Sequence, residues 1–172
     1  RNNLAGVKKF SVYNNTLIPT VFKSLEDDYN HLIKNVQLWD VCCQKIIEVK
    51  GNNSLSLMRY LFCRDFSNIS PGKAYYAPIV NFEGGLLNDP VVFCMADDHF
   101  LISLSDSDLF NWISAINYTK EFCSDVNETD ILTIAIQGPK SEKLVSTIFG
   151  EEIKSLKFFN FIKIFFNKDE II

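Results

Sequence analysis

The sequence contains few positive charges with which to bind a polyanion such as a nucleic acid. Its 17 Lys and Arg are outnumbered by 21 Asp and Glu, which leaves a net charge of −4, and the basic residues are scattered along the chain. Proteins that bind nucleic acids need a clustered basic patch to contact the phosphates. We therefore expect no nucleic-acid partner.

Metal-ligand and nucleophile patterns are also missing. There are two histidines, His31 and His99, and no cysteine pair has C-x-x-C spacing. The cysteines form an odd set of five: Cys42, Cys43, Cys63, Cys94 and Cys123. Zinc sites need regular ligand spacing, and disulfide frameworks need an even number of cysteines. The sequence thus predicts no metal site and no nucleophile–His pair, and it indicates reduced core thiols in a cytoplasmic protein.

Long apolar runs are absent too, because the longest are interrupted by Asn, Asp or Lys. This pattern predicts neither a membrane span nor a signal peptide. A hydrophobic share of 47% with 13% aromatic residues is instead typical of a packed, soluble globular protein. The chain starts at Arg1 rather than Met and stops just after strand-forming residues. We expect a fragment that lacks a few residues at the front and more at the back.

A hairpin is the clearest element. Two apolar runs flank Asn81–Gly85, whose paired glycines allow the positive φ angles of a chain reversal. The second run is interrupted by Asn88 and Asp89, and Pro90 follows at once, so the strand ladder is broken where the carboxylate lies. Asp89 is therefore the sharpest functional candidate. The residues alone leave open a structural role, in which Asp89 caps a loop or pairs with Arg64.

The rest of the chain alternates helical and extended patterns. This indicates an α+β protein, with helices packed on a mainly antiparallel sheet, as one compact unit over residues 1–172. The predicted helices cover 25–35, a stretch from a cap at Asn53 or Ser54 to Arg64, a stretch from a cap at Ser105 or Asp106 to Ile116, and 138–149. The predicted strands cover 44–49, 99–104, 130–136 and 158–166. Residues 10–22, with Pro19 among them, predict an extended arm.

Four aromatic side chains are able to face a cationic ligand, because ring faces attract desolvated cations. They are Tyr13, Trp39, Tyr75 and Tyr76. Core packing is the alternative for each ring. Ser103–Asp108 likewise resembles an acidic loop, although a helix N-terminus favours the same residues. Taken alone, the residues indicate an α+β domain with one unexplained carboxylate.

The order of the motifs resembles that of the glycine-cleavage T-protein (aminomethyltransferase, GcvT) superfamily. Gly84–Asp89, which reads GGLLND, is similar to the family's GG-I-x-D-D segment. Three other segments lie around it in the family's order: Gln37–Val41, Phe100–Ser105 and Ala135–Lys140. The resemblance covers nearly the whole chain, from about Tyr13 to Phe159.

Further segments resemble the dimethylsulfoniopropionate demethylase branch of that superfamily: Val12–Asn14, Pro19–Ser24, Cys63–Asp65, Asn88–Val92 and Asp106–Asp108. The resemblance implies a folate-binding GcvT-type N-terminal fold and a tetrahydrofolate-dependent methyltransferase. Such an enzyme would move a methyl group from a sulfonium compound to N5 of tetrahydrofolate and release a thioether acid. Its partners would be tetrahydrofolate and a small-molecule methyl donor.

The resemblance also implies roles for individual residues. Asp89 lies where the family's folate-contacting aspartate lies, next to the pterin and the transferred carbon, and it is the candidate catalytic residue. Asn88, Ser105 and Tyr76 are the other candidate cofactor-binding residues. Ser105 lies where T-proteins carry a folate-binding Asn, and Asn88 replaces the first Asp of the T-protein pair.

Two aromatic residues are the candidate substrate-binding residues. Tyr13 corresponds to a tyrosine that lines the demethylase substrate pocket, and Trp39 offers a ring face to the cation. Three alternatives remain: an aminomethyltransferase of glycine cleavage, a non-catalytic folate-binding protein of the same fold, and an inactive truncated product. The family's second half, with a Gly-rich stretch ending in Gly-Tyr-Glu, has no counterpart in these residues, and a homodimer stays open.

Overall fold

The structure, a computed structural model, describes residues 6–172. It contains antiparallel strand pairs and four α-helices, which confirms the predicted α+β class with a mainly antiparallel sheet. Contacts within the chain divide it into two units. The first unit contains the residues through Cys43 with Leu132–Lys157 and Lys163–Ile172, and the second contains Gln44–Ile131 with Phe158–Ile162. The expectation of one folate-binding domain over residues 1–172 stays a prediction.

The second unit is built on an antiparallel sheet. Its elements are β4 (Ile46–Lys50), α2 (Ser54–Leu61), β5 (Lys73–Tyr76), β6 (Ile79–Val80), β7 (Leu86–Asn88), β8 (Val91–Ala96), β9 (His99–Ser103), α3 (Leu109–Thr119) and β10 (Asp125–Glu128). The sheet has five strands in the order β10-β4-β9-β8-β5, and β6 and β7 form a separate pair. The predicted strands at 44–49 and 99–104 are confirmed as β4 and β9, whereas β10 was not predicted.

Helices α2 and α3 cover the buried face of this sheet. Each helix places apolar residues three and four positions apart, so that one face is apolar and packs against the strands. The fully buried members of the resulting core include Leu57, Met58, Ile113, Ile47, Val92, Phe100 and Ile102. Helix α3 begins at Leu109, with Asp108 at its N-cap position, so the predicted cap at Ser105 or Asp106 is wrong. Ser105 belongs instead to the loop that precedes the helix.

Two prolines divide the predicted hairpin, whose existence the structure confirms. Strand β5 pairs with β8 at its base, and β6 pairs with β7 near its tip. Pro78 and Pro90 lie between the two pairs, where neither can donate a ladder hydrogen bond. The Ala77 N–H donates to the Pro90 carbonyl at 3.0 Å across the gap. Asp89 therefore lies outside the ladder.

Asn81 holds the turn of this hairpin. Its Oδ1 accepts hydrogen bonds from the backbone N–H groups of Glu83, at 3.0 Å, and Gly85, at 2.7 Å. Gly84 takes a φ of +83°, a conformation that favours glycine. The turn is thus the Gly-Gly reversal that the sequence predicts.

The opposite face of the sheet carries a partly buried polar cluster on β4 and β9. Glu48 accepts a hydrogen bond from Lys50 Nζ at 3.0 Å, and its Oε1 lies 2.8 Å from Nε2 of His99. Burial pushes the pKa of Glu48 upward, but the hydrogen bonds and charges of Lys50 and His99 outweigh it, so the pKa lies below its ordinary value of 4.5. Glu48 therefore stabilises the fold in its ionised form.

The first unit consists of short strand pairs and two α-helices. Its elements are β1 (Lys9–Tyr13), β2 (Thr16–Val21), α1 (Leu25–Lys34), β3 (Gln37–Asp40), β11 (Ile134–Gln137), α4 (Ser141–Phe149), a 3₁₀ helix (Glu151–Ser155), β12 (Ile164–Phe166) and β13 (Asp169–Ile171). Strand β1 pairs with β2, β3 with β11, and β12 with β13, all antiparallel. Helices α1 and α4 confirm the predictions over 25–35 and 138–149, and Ser24 caps α1 by accepting from the Asp27 N–H at 3.0 Å.

The predicted extended arm at residues 10–22 is wrong, because β1 and β2 form a hairpin. Asn14 and Asn15 at its turn take φ angles of 50° and 56°. Positive φ at both central residues gives the turn whose twist matches that of the strands, and Asn tolerates this conformation. Pro19 is accommodated within β2, in a sheet of only two strands.

The predicted C-terminal strands are partly wrong. The strand expected at 130–136 begins only at Ile134, and that expected at 158–166 contracts to Ile164–Phe166. Phe161 instead packs edge-on against Phe93 of β8, with ring centroids 5.4 Å apart. Tertiary packing of the aromatic residues thus replaces the regular strand that their β-propensity predicts.

Two further predictions concern cysteines and membrane spans. Cys43 and Cys94 are buried, but Cys63 and Cys123 are exposed, so the expectation that all the thiols are in the core is wrong. Within residues 6–172, no helix has the length and apolarity needed to cross a membrane.

A substitution at Gly138 tests a close backbone contact in the first unit. A Cβ at Gly138 would lie 2.3 Å from the Asn35 carbonyl oxygen, whereas at Gly150 the nearest atoms, of Glu152, lie 4.0 Å away. Both glycines have positive φ angles that L side chains rarely adopt, so alanine is strained by about 1–3 kcal/mol at either. We expect Gly138→Ala to lower the free energy of unfolding by about 2 kcal/mol more than Gly150→Ala. Urea unfolding followed by circular dichroism measures both, and equal losses would contradict the steric argument.

The pH dependence of stability tests the role of Glu48. Because its folded-state pKa is depressed, its contribution is present above pH 4.5 and is lost as the pH falls through the folded value. The urea midpoint of the wild type should therefore fall more than that of Glu48→Gln between neutral pH and about pH 3. Glu128→Gln, which removes an exposed carboxylate from β10, is the control. Parallel acid profiles for wild type and Glu48→Gln would refute this role.

Candidate functional site

Asp89 lies in the break of the hairpin, where two hydroxyl groups fix its carboxylate. The Ser105 hydroxyl donates a hydrogen bond to Oδ1 at 2.5 Å, and the Tyr76 hydroxyl donates to Oδ2 at 3.2 Å. Tyr76 is the last residue of β5, and Ser105 follows β9 by two positions. The orientation of the carboxylate is therefore set by two elements that the sequence keeps far apart.

The neighbouring Asn88 fixes the loop that carries Ser105. Its side chain is only 3% exposed, and its Nδ2 donates to the Ser105 carbonyl at 3.3 Å and to Ser107 Oγ at 2.6 Å. Its Oδ1 accepts from the Ser105 N–H at 3.1 Å. Asn88 thus positions Ser105 on Asp89. The predicted contact between Asn88 and a cofactor stays a prediction. In the structure, Asn88 supports the loop that carries Ser105.

The carboxylate of Asp89 retains hydrogen-bonding capacity toward a ligand. Each of its oxygens accepts one hydrogen bond within the protein, and each carboxylate oxygen can accept a second. Partial burial, followed by the hydrogen bond and the charge of Asp89, raises the pKa of Tyr76 above its ordinary value. Tyr76 is therefore a neutral donor near neutral pH. The site presents an oriented acceptor to N–H or O–H donors.

Arg64 does not pair with Asp89, which removes one of the structural alternatives. Within the described part of the chain, Asp89 forms no ion pair within 4 Å, and Arg64 Nη1 donates to the Tyr76 carbonyl at 3.2 Å. The guanidinium also lies 5.1 Å from the centre of the Tyr75 ring. Tyr75 thus faces a cation that belongs to the protein itself.

The candidate substrate-binding residues belong to the first unit. Tyr13 ends β1 and is partly buried, and Trp39 lies in β3 with 38% of its surface exposed. Trp39 lines a cavity of about 450 Å³ in that unit, together with aromatic and acidic side chains that include Phe22 and Asp27. The structure therefore brings Asp89, Asn88, Ser105 and Tyr76 together, and it places Tyr13 and Trp39 in the other unit.

Sequence reasoning missed two members of the site. Ser107 is predicted to lie in an acidic loop or a helix N-terminus, and Arg64 to end a helix or to pair with Asp89. Both also lie in segments that resemble the demethylase branch, but neither is predicted as a site residue. A buried amide needs partners for all its polar atoms, so a hydroxyl-rich loop was the available signal for Ser107. No local pattern points from Arg64 to Tyr76, which lies 12 residues away.

The described residues contain no group of three or more His, Cys, Asp or Glu side chains that could hold a metal ion. The site contains a carboxylate, the hydroxyls of Tyr76, Ser105 and Ser107, and a buried amide. Such groups are able to exchange hydrogen bonds with a ligand.

Comparison with known proteins identifies the family. Residues 3–171 match the GCVT N-terminal domain family, so the chain belongs to that family, and the resemblance to the T-protein superfamily is confirmed. The chain is 38% identical over 168 residues to dimethylsulfoniopropionate demethylase DmdA of Ruegeria pomeroyi. That alignment covers 98% of this chain and 46% of the relative.

The fold has a solved counterpart. The crystal structure of glycine cleavage system aminomethyltransferase T from Bartonella henselae superposes with a TM-score of 0.84 at 20% identity. The superposition covers 92% of this chain and 44% of that protein. The chain thus spans slightly less than half the length of both relatives, and the likeness confirms the predicted GcvT-type fold.

The hydrogen bonds of Asn88 can be tested by their effect on stability. Asn88→Leu keeps a similar volume but removes three hydrogen bonds to Ser105 and Ser107. We expect it to lower the free energy of unfolding by about 2–3 kcal/mol, against about 1 kcal/mol for Ser107→Ala, which removes one of them. Urea unfolding of the two variants measures the difference. Asn88 would have no positioning role if the two losses were equal.

Proposed function

We propose that this chain carries the folate-contacting part of a tetrahydrofolate-dependent methyltransferase that demethylates dimethylsulfoniopropionate. The observation that carries the proposal is the Asp89 carboxylate, fixed at both oxygens by Ser105 and Tyr76 and still open to further donors. The identity of 38% to a dimethylsulfoniopropionate demethylase supports the choice of methyl donor. The family match supports the folate-dependent class.

The residues present fit a reduced pterin. Its ring carries several N–H groups, and Asp89 offers one open acceptor position on each oxygen. Asp89 is partly buried, so hydrogen bonds to its charge are stronger than in bulk water. Tyr76 is 47% exposed beside it and offers a ring surface as well as its hydroxyl. Asp89, Tyr76 and Ser105 would therefore hold the folate.

The proposed reaction asks for alignment more than for a strong acid or base. Tetrahydrofolate supplies a nucleophilic nitrogen, N5, for the sulfonium methyl group, whose leaving group departs as a neutral thioether. The protein has to hold nitrogen, carbon and sulfur in line, and such positioning lowers the barrier of a bimolecular step. Asp89 would orient the pterin through its N–H groups and accept the proton released as the new nitrogen–carbon bond forms.

Calorimetry with tetrahydrofolate tests the proposal on protein expressed from the natural start codon to the natural stop codon. Asp89→Asn should weaken binding by roughly ten- to a hundredfold, the worth of a hydrogen bond to a charged group. Glu83→Gln, which neutralises an exposed carboxylate at the turn of the same hairpin, is the matched control and should bind like the wild type. Methyl transfer from dimethylsulfoniopropionate should be lost in Asp89→Asn as well.

Other outcomes separate the alternatives. Binding of folate without transfer from any sulfonium or aminomethyl donor would replace the enzyme with a non-catalytic folate-binding protein. Transfer from an aminomethyl donor alone would make it an aminomethyltransferase. Absence of folate binding in the wild-type protein would overturn the proposal.

A further inference from the structure

Arg64 lies at the end of a short segment, residues 62–64, that runs beside the hairpin strand interrupted by Pro78. Phe62 forms an isolated bridge with Ile79, and the Cys63 N–H donates to the Pro78 carbonyl at 3.1 Å. These backbone contacts bring the Arg64 side chain level with the end of β5. There its Nη1 donates to a main-chain carbonyl, that of Tyr76, at 3.2 Å.

The guanidinium of Arg64 is itself held in place by Tyr75. Its carbon lies 5.1 Å from the centre of the Tyr75 ring, within the range of a cation–π contact. The Tyr75 ring packs edge-on against the buried Phe66, with centroids 6.3 Å apart, and its hydroxyl accepts from the Ser70 N–H at 2.9 Å. Arg64 therefore contacts a ring that is itself held by Phe66 and by the Ser70 N–H.

Core packing does not hold the side chain of Tyr76, so the position of its hydroxyl follows the position of its backbone. It is 47% exposed and is the last residue of β5, immediately before the proline-interrupted part of the hairpin. Its own hydroxyl makes the contact with Asp89 at 3.2 Å. A small rotation of the Tyr76 backbone would therefore move the hydroxyl away from the carboxylate.

We propose that Arg64 is a positioning residue, which holds the Tyr76 carbonyl so that the Tyr76 hydroxyl stays on Asp89. The part of the proposal that concerns ligand binding rests on the proposed function, whereas the effect on Tyr76 does not. Lysine should replace Arg64 only in part, because an ammonium lacks the planar fork that lies over a ring and donates to a carbonyl at the same time.

The test is the titration of Tyr76 in the ligand-free protein expressed from natural start to natural stop codon. Incorporation of 3,5-difluorotyrosine at position 76 gives a ¹⁹F NMR signal, and ring fluorination lowers the phenol pKa into a range where the fold persists. Partial burial, followed by the hydrogen bond and the charge of Asp89, raises the pKa of Tyr76, so a hydroxyl that leaves Asp89 should titrate at lower pH. We expect Arg64→Gln to lower this pKa and Arg64→Lys to lower it less.

The sign of the change separates positioning from a direct effect of charge. Removal of a nearby positive charge by itself raises the pKa of a tyrosine, because the phenolate loses a favourable interaction. A fall therefore supports the proposal, and a rise or no change overturns it. Arg59→Gln, which removes an exposed charge from α2, is the matched control and should leave the pKa as in wild type.

Folate binding provides a second readout. Arg64→Gln should weaken tetrahydrofolate binding by roughly two- to tenfold, the worth of one hydrogen bond, and should add nothing when Tyr76→Phe is already present. Full additivity of the two changes would overturn the positioning role in binding. If the wild-type protein binds no folate, only the proposed function is refuted. The ¹⁹F titration still shows whether Arg64 keeps the Tyr76 hydroxyl on Asp89.

Discussion

Two prolines on opposite strands of one hairpin set the geometry on which the site depends. Pro78 and Pro90 cannot donate ladder hydrogen bonds, so the hairpin separates into a base and a tip joined by the Ala77-to-Pro90 hydrogen bond of 3.0 Å. The interruption frees the side chain of Asp89 from strand alternation. A carboxylate in a regular central strand would face the core or the solvent, but here it points at two hydroxyl groups.

The adjacent residues Asn88 and Asp89 have different roles, which one fulfils as a neutral amide and the other as a charged carboxylate. Asn88 is buried and must both donate to the Ser105 carbonyl and accept from the Ser105 N–H, which an amide does and a carboxylate cannot. Asp89 is partly exposed, so its charge keeps some contact with water and costs less desolvation. The order of the pair, amide first and carboxylate second, thus matches the burial of each position.

The features that could be predicted from the sequence are those that depend on a few adjacent residues. The Gly-Gly turn, the start of α1 at Ser24 and the interruption at Asp89 each follow from a few adjacent residues, and the structure has all three. The helix cap predicted at Ser105 or Asp106 was wrong, and the alternative in which Arg64 pairs with Asp89 is not what the structure has. Ser105 is suited to cap a helix and Arg64 to pair with an acid, but tertiary contacts 16 and 12 residues away give both of them other partners.

The arrangement around Asp89 is better suited to alignment than to proton transfer alone. Ser105 restrains one oxygen, Tyr76 the other, and the interrupted ladder restrains the backbone, so the plane of the carboxylate is fixed before any ligand arrives. Methyl transfer from a sulfonium requires little acid–base assistance but strict collinearity of donor, carbon and acceptor, and preorganised contacts supply this. Under the proposed function, residues that never touch the reacting atoms, such as Asn88 and Arg64, therefore matter because they limit how far the pterin can turn.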